Sequence, residues 1–556
     1  MRPASLTDEL LDRLRARVTA ESGTTYTTTA VFSGGELATL PESTTADVHT
    51  AYERAARAQR QWAATPVEQR LAVFERFHDL LLRDRDTVAD LIQAETGKAR
   101  RDAFEELCEP ALVASYYVRK APKLLRPHRR AGLMPGVVTA TELRVPKGVV
   151  GIISPWNYPF TLALGDLVPA LIAGNAVVLM PDRQTALSPL YGVDLLYRAG
   201  LPADLLQVVL GDGPVVGGAV VDTCDYVGFT GSTRTGTLIA ERAGKRLIGC
   251  SLELGGKNPM VVLDDVRIAA TAKQAARACF ANAGQLCISI ERIYVHDSIF
   301  DAFAAALVAE TAKRAVRACF ANAGQLCISI ERIYVHDSIF DAFAEAFVAE
   351  SGRIAMKAGF DYAAGMGSLT SQRALKTVAE HVDDARAKGA TVLTGGRPRP
   401  DLGPYFYEPT VLTDVTPEML PHAAETFGPV VSLYPYATDD EAVALANQTD
   451  YGLNASVFGR NRARATRVAE RLRAGTVNVN DGYASAYGSI DAPMGGMGSS
   501  GLGRRHGADG LLKYTEAQTV GTQRIALLTP PAWVPYGLYT KVMTASLRLM
   551  RRLGIR

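Results

Sequence analysis

The spacing of apolar residues divides the chain into a helical first part and a longer part in which strands and helices alternate. Between residues 44 and 120, apolar residues recur at helical spacing, which predicts a series of amphipathic helices. The segment VTATELRVPKGVVGIISP, residues 138–155, alternates apolar and polar positions and then becomes almost continuously apolar. This pattern predicts a β-ribbon that leads into a buried strand.

From residue 176 onward, short apolar runs alternate with segments of helical period. Strands are predicted at 176–180, 205–211 and 226–231, with helices at 188–200 and 215–222 between them. This order predicts a parallel sheet with crossover helices, the usual frame for binding a nucleotide. A second α/β unit begins near residue 253, with a helix predicted at 268–280 and strands at 257–265, 288–297, 390–396, 409–415, 430–436 and 476–480.

One stretch of the chain occurs twice. The sequence RACFANAGQLCISIERIYVHDSIFDAFA fills residues 277–304 and again residues 317–344, and weaker similarity extends outward on both sides. The period is 40 residues. Since a solenoid needs at least three units, two copies inside an α/β chain indicate a tandem duplication, 268–307 followed by 308–347.

Composition excludes several classes of protein. The 556 residues carry a formal net charge of only +2, so no overall field favours nucleic acid. The seven cysteines are scattered without metal-site spacing, so we expect no metal and a reducing compartment. The first 18 residues lack the apolar centre of a secretory signal, and no apolar run is long enough to span a membrane. We expect a cytoplasmic protein.

The tail at 530–556 is basic and amphipathic. A helix of this kind can lie on anionic lipid. A helix docked on its own subunit or on a neighbour is the simpler interpretation, and we favour it because the polar face is short. The apolar positions near helical spacing are Leu538, Val542, Leu547, Met550 and Leu553, and the interleaved cations are Lys541, Arg548, Arg551 and Arg552.

Three motifs contain residues suited to chemistry at a carbonyl. GQLC ends at Cys287 and, in the second copy, at Cys327; a thiolate is a strong nucleophile. In LELGGKNP, two glycines let the backbone turn sharply after Glu253, whose carboxylate can activate water. In SPWNYP, the amide of Asn157 can donate to an oxyanion. Taken alone, each residue also has an ordinary structural interpretation.

Two further motifs suit a dinucleotide. In FTGSTRTG, small residues follow a strand and open a helix, where backbone N–H groups can approach a pyrophosphate; these are Gly231, Ser232 and Gly236. In ETFGPV, Glu425 can bond a ribose diol and Phe427 can pack on a nicotinamide. Each motif is weak evidence by itself, since glycine pairs and core phenylalanines are common.

Together, SPWNYP, GNAVVL, FTGSTRTG, LELGGKNP, GQLC, ETFGPV, YGLNASVF and PMGGMGSSGLGR occur in an order that resembles the aldehyde dehydrogenase superfamily. The resemblance covers nearly the whole chain, from about Val31 to Gln518, and is strongest to bacterial succinate-semialdehyde dehydrogenases. It implies the α/β aldehyde dehydrogenase fold. We expect a Rossmann-like cofactor domain at 1–132 and 148–252, a catalytic domain at 253–482, an oligomerisation ribbon at 133–147 and 508–525, and a C-terminal return segment at 483–529.

The resemblance also implies roles for individual residues. A GQLC cysteine attacks the aldehyde, Asn157 and the cysteine's own backbone N–H hold the oxyanion, and Glu253 activates the water that releases a carboxylic acid. A homo-dimer or homo-tetramer is expected. The nicotinamide cofactor is expected to bind at Ile153, Ser154, Pro155, Trp156, Met180, Arg183, Gly211, Gly231, Ser232, Gly236, Leu254, Glu425 and Phe427.

The cofactor pocket departs from the family pattern KPSE, which usually follows GNAVVL. Met180 replaces a lysine that bonds the ribose. Arg183 replaces a glutamate that would repel a 2′-phosphate, and a guanidinium can pair with that phosphate. We therefore expect NADP to be preferred, with NAD as the alternative.

The substrate pocket departs as well. The arginines that commonly hold the distal carboxylate of succinate semialdehyde are replaced by Gly165 and Ala281, and by Ala321 in the second copy. Succinate semialdehyde is the first expectation, and a less polar aldehyde competes with it.

The spacing of the motifs does not decide which GQLC cysteine is the nucleophile. The distance from Glu253 to Cys287 matches the family, and so does the distance from Cys327 to Glu425. We favour Cys287 as the nucleophile.

Two other functions compete with this one. The duplication and Met180 suggest a paralogue that binds cofactor but is catalytically impaired. A hydrolase built on Cys287 and His296 leaves SPWNYP, FTGSTRTG and ETFGPV unexplained, so we set it aside.

Overall fold

A computed structural model describes residues 2–132, 137–263, 290–296, 298, 356–363, 366–432, 436, 438–458, 461–481, 484–524, 530 and 532–555. Both GQLC motifs, the predicted helix 268–280 and most of the duplication lie outside these residues. Two compact units are present: Met1–Pro122 with Pro146–Tyr514, and Lys123–Val145 with Thr515–Arg556. The predicted domain boundaries stay a prediction.

The amphipathic pattern at 44–120 forms consecutive helices, as predicted. The first of them begins with a capping box, in which the Thr44 hydroxyl accepts from the N–H of Asp47 and the Asp47 carboxylate accepts from the N–H of Thr44. The helix Arg85–Thr96 ends at Gly97, which has φ 78°. The helices up to this point are α1 Asp8–Arg15, α2 Thr45–Ala64, α3 Val67–Arg83, α4 Arg85–Thr96 and α5 Arg100–Leu125.

The later helices fall between the predicted strands or after them. They are α6 Pro159–Ile172, α7 Leu187–Arg198, α8 Gly218–Thr223, α9 Thr233–Lys245, α10 Gln372–Ala387, α11 Leu420–Ala423, α12 Asp439–Ala446, α13 Arg462–Ala469, α14 Ala484–Tyr487, α15 Gly507–Leu512 and α16 Tyr536–Arg552. None of the helices in the described part of the chain has the length and apolar content needed to cross a bilayer.

The strands predicted from the apolar runs are present. In chain order the strands are β1 Thr25–Ala30, β2 Gly35–Pro41, β3 His128–Arg130, β4 Val138–Pro146, β5 Val149–Ser154, β6 Ala176–Pro181, β7 Leu206–Val208, β8 Tyr226–Thr230, β9 Gly249–Glu253, β10 Asn258–Val262, β11 Ile290–Val295, β12 Thr391–Thr394, β13 Thr410–Thr413, β14 Val430–Ser432, β15 Tyr451–Gly452, β16 Asn454–Phe458, β17 Thr476–Val479, β18 Met497–Gly498, β19 Gly501–Leu502 and β20 Thr515–Gln523.

The largest sheet has six strands in the order β19-β9-β8-β5-β6-β7. Strands β5 to β9 pair in parallel, and only β19 runs antiparallel at the edge. Helices α6, α7, α8 and α9 connect successive strands, which is the predicted crossover arrangement. The apolar side of α8 and α9 packs on β8 and β9 through Val221, Cys224, Val227, Phe229, Ile239, Ala243, Leu252 and Leu254.

A second parallel sheet has the order β11-β10-β16-β17. Helices α12 and α13 cover it, and their alanine and valine side chains share a buried cluster with Val261, Ala455 and Val457. Strands β12, β13 and β14 form a three-stranded sheet, and β1–β2 and β15–β18 are two-stranded. Two parallel sheets within one compact unit agree with the predicted α/β class.

The second unit contains a three-stranded sheet in the order β20-β4-β3 and the helix α16. Strand β4 covers the alternating segment that the sequence analysis assigned to a ribbon, and β20 covers most of its predicted partner, 508–525. The ribbon is therefore present, whereas its role in oligomerisation stays a prediction.

Candidate active site

The carboxyl ends of the central strands meet at one edge of the six-stranded sheet. Ser154 pairs with Pro181, and Thr230 pairs with Glu253, so β5, β6, β8 and β9 end side by side. Parallel strands bring the loops that follow them to the same edge, where α/β proteins bind ligands. The motifs SPWNYP, FTGSTRTG and LELGGKNP are these loops.

The loops surround a cavity of about 200 Å³, here called the small cavity. It is lined by Pro155, Trp156, Asn157, Thr230, Gly231, Ser232, Glu253, Leu254, Gly255, Glu425 and Phe427. Predicted residues from four separate motifs, spread over almost half of the chain, thus converge on one space. Thr230 and Gly255 were not among the predicted site residues.

Glu253 is a buried carboxylic acid at the wall of the small cavity. Its exposed fraction is 5%, and no described residue donates a hydrogen bond to either carboxyl oxygen. Burial raises the pKa of Glu253 to about 7. A carboxyl group with this pKa gains and loses a proton near neutral pH, which suits a general base.

A buried ionic group lies near Glu253. Arg505 donates to a carboxylate oxygen of Asp166 and, at 3.1 Å, to the hydroxyl of Thr230. Lys513 donates to the other oxygen of Asp166 at 3.1 Å. Burial alone would raise the pKa of Asp166, but the two cations hold it well below its ordinary value. The positive charge of Arg505 also opposes the effect of burial on the pKa of Glu253.

A buried ion pair fixes the backbone at Asn157. Lys98 Nζ donates to Glu106 Oε2 at 2.6 Å and to the backbone carbonyl of Asn157 at 2.8 Å, and neither charged side chain is exposed. The other oxygen of Glu106 accepts from the N–H groups of Phe160 and Thr161, in the first turn of α6. Lys98 and Glu106 therefore hold the loop that presents the Asn157 side chain to the small cavity.

Gly255 is a position of close packing. The sharp turn expected after Glu253 stays a prediction, and Gly255 itself is not in the left-handed region. A Cβ at Gly255 would lie 2.7 Å from Glu425 Oε2, so the glycine makes room for that carboxylate. Glu425 Oε1 accepts from the N–H of Gly256 at 3.3 Å, and loss of solvent raises the pKa of Glu425 to about 7.

Two aromatic rings form the wall beside Glu425. The Trp156 and Phe427 rings meet edge to face with centroids 5.3 Å apart. Phe427 has φ 55°, a backbone conformation that residues other than glycine rarely adopt. The surrounding structure, including the contact with Trp156, therefore has to outweigh the cost of this backbone conformation.

A second cavity of about 670 Å³, here called the large cavity, shares the wall formed by Trp156, Gly231, Ser232 and Phe427. Predicted cofactor residues along it also include Ile153, Ser154, Pro155, Met180, Arg183 and Gly211. Arg234 and Arg373 line it too, and neither was predicted. Arg234 lies within FTGSTRTG without having been singled out, and Arg373 lies in no motif; they come from the first turns of α9 and α10, far apart in the chain.

Arg183 stands at the wall of the large cavity but already has partners. It forms an ion pair with Glu42 at 3.0 Å and lies 4.4 Å from the ring centroid of Tyr26. Its side chain keeps an exposed fraction of 39%. A ligand phosphate at Arg183 would therefore compete with Glu42.

The first turn of α9 faces both cavities. Ser232 caps the helix by accepting from the N–H of Thr235. Gly231 is required for packing, because a Cβ there would lie 2.4 Å from the Phe229 ring. Gly236 lines neither cavity, since its Cα faces Leu254, where a Cβ would lie 2.4 Å from Cδ2. The expected pyrophosphate role of Gly236 thus has no support from its position.

The predicted nucleophiles, Cys287 and Cys327, lie outside the described residues, as do Ala281 and Ala321. Among the residues that are described, no cluster of three or more His, Cys, Asp or Glu side chains is arranged to hold a metal ion.

A parallel sheet that ends at a buried carboxyl group, an asparagine and a large adjoining cavity defines an α/β fold with a nucleotide-sized site. Comparison with family models identifies the class: the model described as "Aldehyde dehydrogenase family" matches residues 18–316 and 308–520. The chain belongs to the aldehyde dehydrogenase family.

Two individual relatives have names that include a substrate and a cofactor. A Mycolicibacterium smegmatis protein, provisionally named succinate-semialdehyde dehydrogenase (NADP⁺), is 52% identical over 94% of this chain and 93% of its own length. A Deinococcus radiodurans protein named succinate-semialdehyde dehydrogenase (NADP⁺) is 35% identical, with 89% of this chain and 94% of its own length covered.

Solved structures share the fold. Staphylococcus aureus betaine aldehyde dehydrogenase in complex with NAD⁺ matches with a TM-score of 0.81 and 28% identity, covering 95% of this chain and 99% of that one. An Escherichia coli structure described as an NADP dependent enzyme matches with a TM-score of 0.79 and 29% identity, covering 91% and 96%. The predicted fold and family are confirmed.

Proposed function

We propose that this aldehyde dehydrogenase oxidises succinate semialdehyde to succinate with NADP, through a cysteine of a GQLC motif. One observation carries the proposal: a buried carboxyl group, Glu253, shares the small cavity with Asn157, and this cavity adjoins a large one. The proposal combines a general base, an oxyanion donor and room for a dinucleotide at one sheet edge.

The proposed roles follow from the chemistry of each group. The cysteine sulfur bonds to the aldehyde carbon, and the Asn157 side-chain amide donates to the oxygen that becomes negative. NADP supplies the hydride acceptor that converts the adduct to a thioester. Glu253 then takes a proton from water, the hydroxide attacks the thioester carbon, and the carbon–sulfur bond breaks to release the acid and the thiolate.

The residues around the large cavity fit a dinucleotide phosphate. The N-terminal turn of α9 offers backbone N–H groups to an anion, and Arg183, Arg234 and Arg373 add positive charge. The relatives from M. smegmatis and D. radiodurans carry NADP⁺ in their names. These features favour NADP over NAD, with Arg183 as the proposed partner of the 2′-phosphate.

The substrate side of the proposal rests on the names of the relatives and is the part most in need of a test. Gly165, where the family commonly has an arginine, faces a carboxylate: a Cβ there would lie 3.3 Å from Glu109 Oε1. Glu109 is itself bonded to His506 at 3.0 Å. A carboxylate substrate would find no cation at Gly165, so a less polar aldehyde is the direct competitor.

The decisive experiment measures kcat/KM for succinate semialdehyde, butanal and benzaldehyde, each with NADP and NAD. The proposal expects the highest value for succinate semialdehyde with NADP. A higher value for the uncharged aldehydes would reject the substrate, and a clear preference for NAD would reject the cofactor. A missing burst of NADPH with every aldehyde would identify the cofactor-binding but impaired paralogue.

A second experiment assigns the nucleophile. We propose Cys287, and Cys287→Ser is expected to abolish the NADPH burst while Cys327→Ser retains it. The two variants are matched, because the same residue is changed in identical surroundings of sequence. Full activity in Cys287→Ser would reverse the assignment.

We also propose a homo-oligomer paired through the ribbon β4–β20, which light scattering of the purified protein tests.

A further inference from the structure

We propose that the C-terminal helix α16 binds the surface of an anionic lipid bilayer. This surface is separate from the active site, and the inference does not rest on the proposed function.

The two faces of α16 separate cleanly once the bounds of the helix are known. At 100° per residue, its four cations fall within an arc of about 100°. The opposite side, an arc of about 200°, carries apolar residues with one serine. The cations are Lys541, Arg548, Arg551 and Arg552, and the apolar residues include Tyr536, Leu538, Tyr539, Val542, Met543, Leu547, Leu549 and Met550.

The apolar face is only partly covered, because Tyr539, Met543 and Met550 are half-buried while the apolar residues on either side of them are exposed. No residue of α16 is buried, and Leu538, Val542 and Leu549 are each exposed by 55–56%. Trp533, just before the helix, is exposed by 82%. An exposed apolar surface of this kind marks a site of interaction. Tryptophan and tyrosine at its start are residues enriched at the boundary between lipid and water.

Charge identifies the partner. The unit that contains α16, residues 123–145 and 515–556, carries eleven lysines and arginines and only two acidic residues, although the whole chain has a net charge of +2. From residue 517 to the end there is no acidic residue. A basic face opposite an apolar face complements a surface with anionic headgroups above acyl chains. Nucleic acid would match the cations but leave the apolar residues in water.

The geometry also sets how the helix would lie. Its 17 residues span about 25 Å, and the cations occupy one side along most of that length. With the apolar arc turned toward the acyl chains, the axis lies parallel to the surface and the cations reach the headgroups from above. The protein would then be tethered at the membrane by its last 24 residues.

The test is co-sedimentation of the purified full-length protein with vesicles of phosphatidylcholine alone and vesicles that also contain phosphatidylglycerol. We expect binding only to the anionic vesicles and its loss at high salt. Val542→Asp, in the apolar arc, is expected to abolish binding. Thr544→Asp, in the polar arc, is the matched control: it adds the same charge and should weaken binding by only about fivefold.

Three results would overturn the proposal. The first is no sedimentation with anionic vesicles. The second is equal binding by Val542→Asp and Thr544→Asp, which would show that charge alone acts. The third is a lower molar mass of Val542→Asp in light scattering without vesicles, which would mean that α16 covers a second copy of the chain. Circular dichroism and aldehyde oxidation, both unchanged, confirm that the two variants are folded.

Discussion

The small and large cavities share a wall but hold their polar groups in different ways. Around the small cavity, Glu253 is buried, and the backbone at Asn157 is fixed by Lys98 with no exposed atoms in the ion pair. Around the large cavity, Arg183 is partly exposed and paired with Glu42. Groups that must perform chemistry are thus withdrawn from water, whereas those that must recognise a charged ligand stay accessible. Substitutions should therefore cost far more at the small cavity.

The largest effect is expected for Glu253→Gln, which keeps the shape but removes the base. Steady-state kcat should fall by about 10²–10⁴-fold. Glu425→Gln is the matched control in the same cavity, and it should change the KM for NADP more than kcat. Stopped-flow absorbance should still show a burst of NADPH in Glu253→Gln, because only hydrolysis is lost. An unchanged steady-state rate would contradict the role of Glu253.

The next effect is expected for Lys98→Met, which leaves the carboxylate of Glu106 buried without its cation. The free energy of unfolding should fall by about 3–5 kcal/mol in a urea titration. The double variant Lys98→Met, Glu106→Gln keeps an acceptor for the N–H groups of Phe160 and Thr161 but carries no charge. It should recover part of the stability, and a double variant as unstable as the single one would contradict the ion-pair account.

A third effect concerns pH. Because burial raises the pKa of Glu253 to about 7, its basic form dominates only above that pH. We expect kcat to rise about tenfold per pH unit up to neutrality and then level off. The same pKa affects stability. Between pH 4.5 and about 7 the folded chain still holds the proton that the unfolded chain has lost, so the contribution of Glu253 to stability falls as pH rises through this window. A kcat independent of pH between 5 and 7 would contradict the role of Glu253 as a base with a pKa of about 7.

The smallest effects belong to the large cavity. Arg183→Glu should lower the ratio of kcat/KM for NADP over NAD by about tenfold, since a carboxylate repels the 2′-phosphate. Glu42→Gln should raise the same ratio by a few-fold, because it frees Arg183 from its ion pair. Arg399→Glu, at an exposed ion pair with Asp401, is a control that should leave the ratio unchanged. Equal ratios in Arg183→Glu and the parent protein would remove Arg183 from cofactor selection.

The sequence predicted the sheets and the main loops because those depend on local patterns. Apolar runs such as 176–180 and 226–231 became β6 and β8, and the motifs after them became the loops at the sheet edge. The hairpin β1–β2 was not predicted, since TYTTTA is mostly threonine and does not alternate apolar and polar residues.

The groups that surround Glu253 and Asn157 could not be predicted in this way. Arg505 and Asp166 are 339 residues apart, and Lys98 reaches Asn157 over 59 residues. Such pairs depend on tertiary structure, and a lone lysine or aspartate has no periodic signal. The close packing contacts of Gly236 and Gly255 could not be predicted either, because a glycine can serve a packing contact as well as a turn or a phosphate.

The left-handed backbone at Phe427 has a consequence for protein engineering. Holding a phenylalanine at φ 55° costs about 1–3 kcal/mol, a cost that glycine would not incur. A screen that selects only for heat resistance would therefore favour glycine at this position and discard the ring that closes the wall against Trp156. Any thermostable variant of this enzyme should be screened for turnover at the same time.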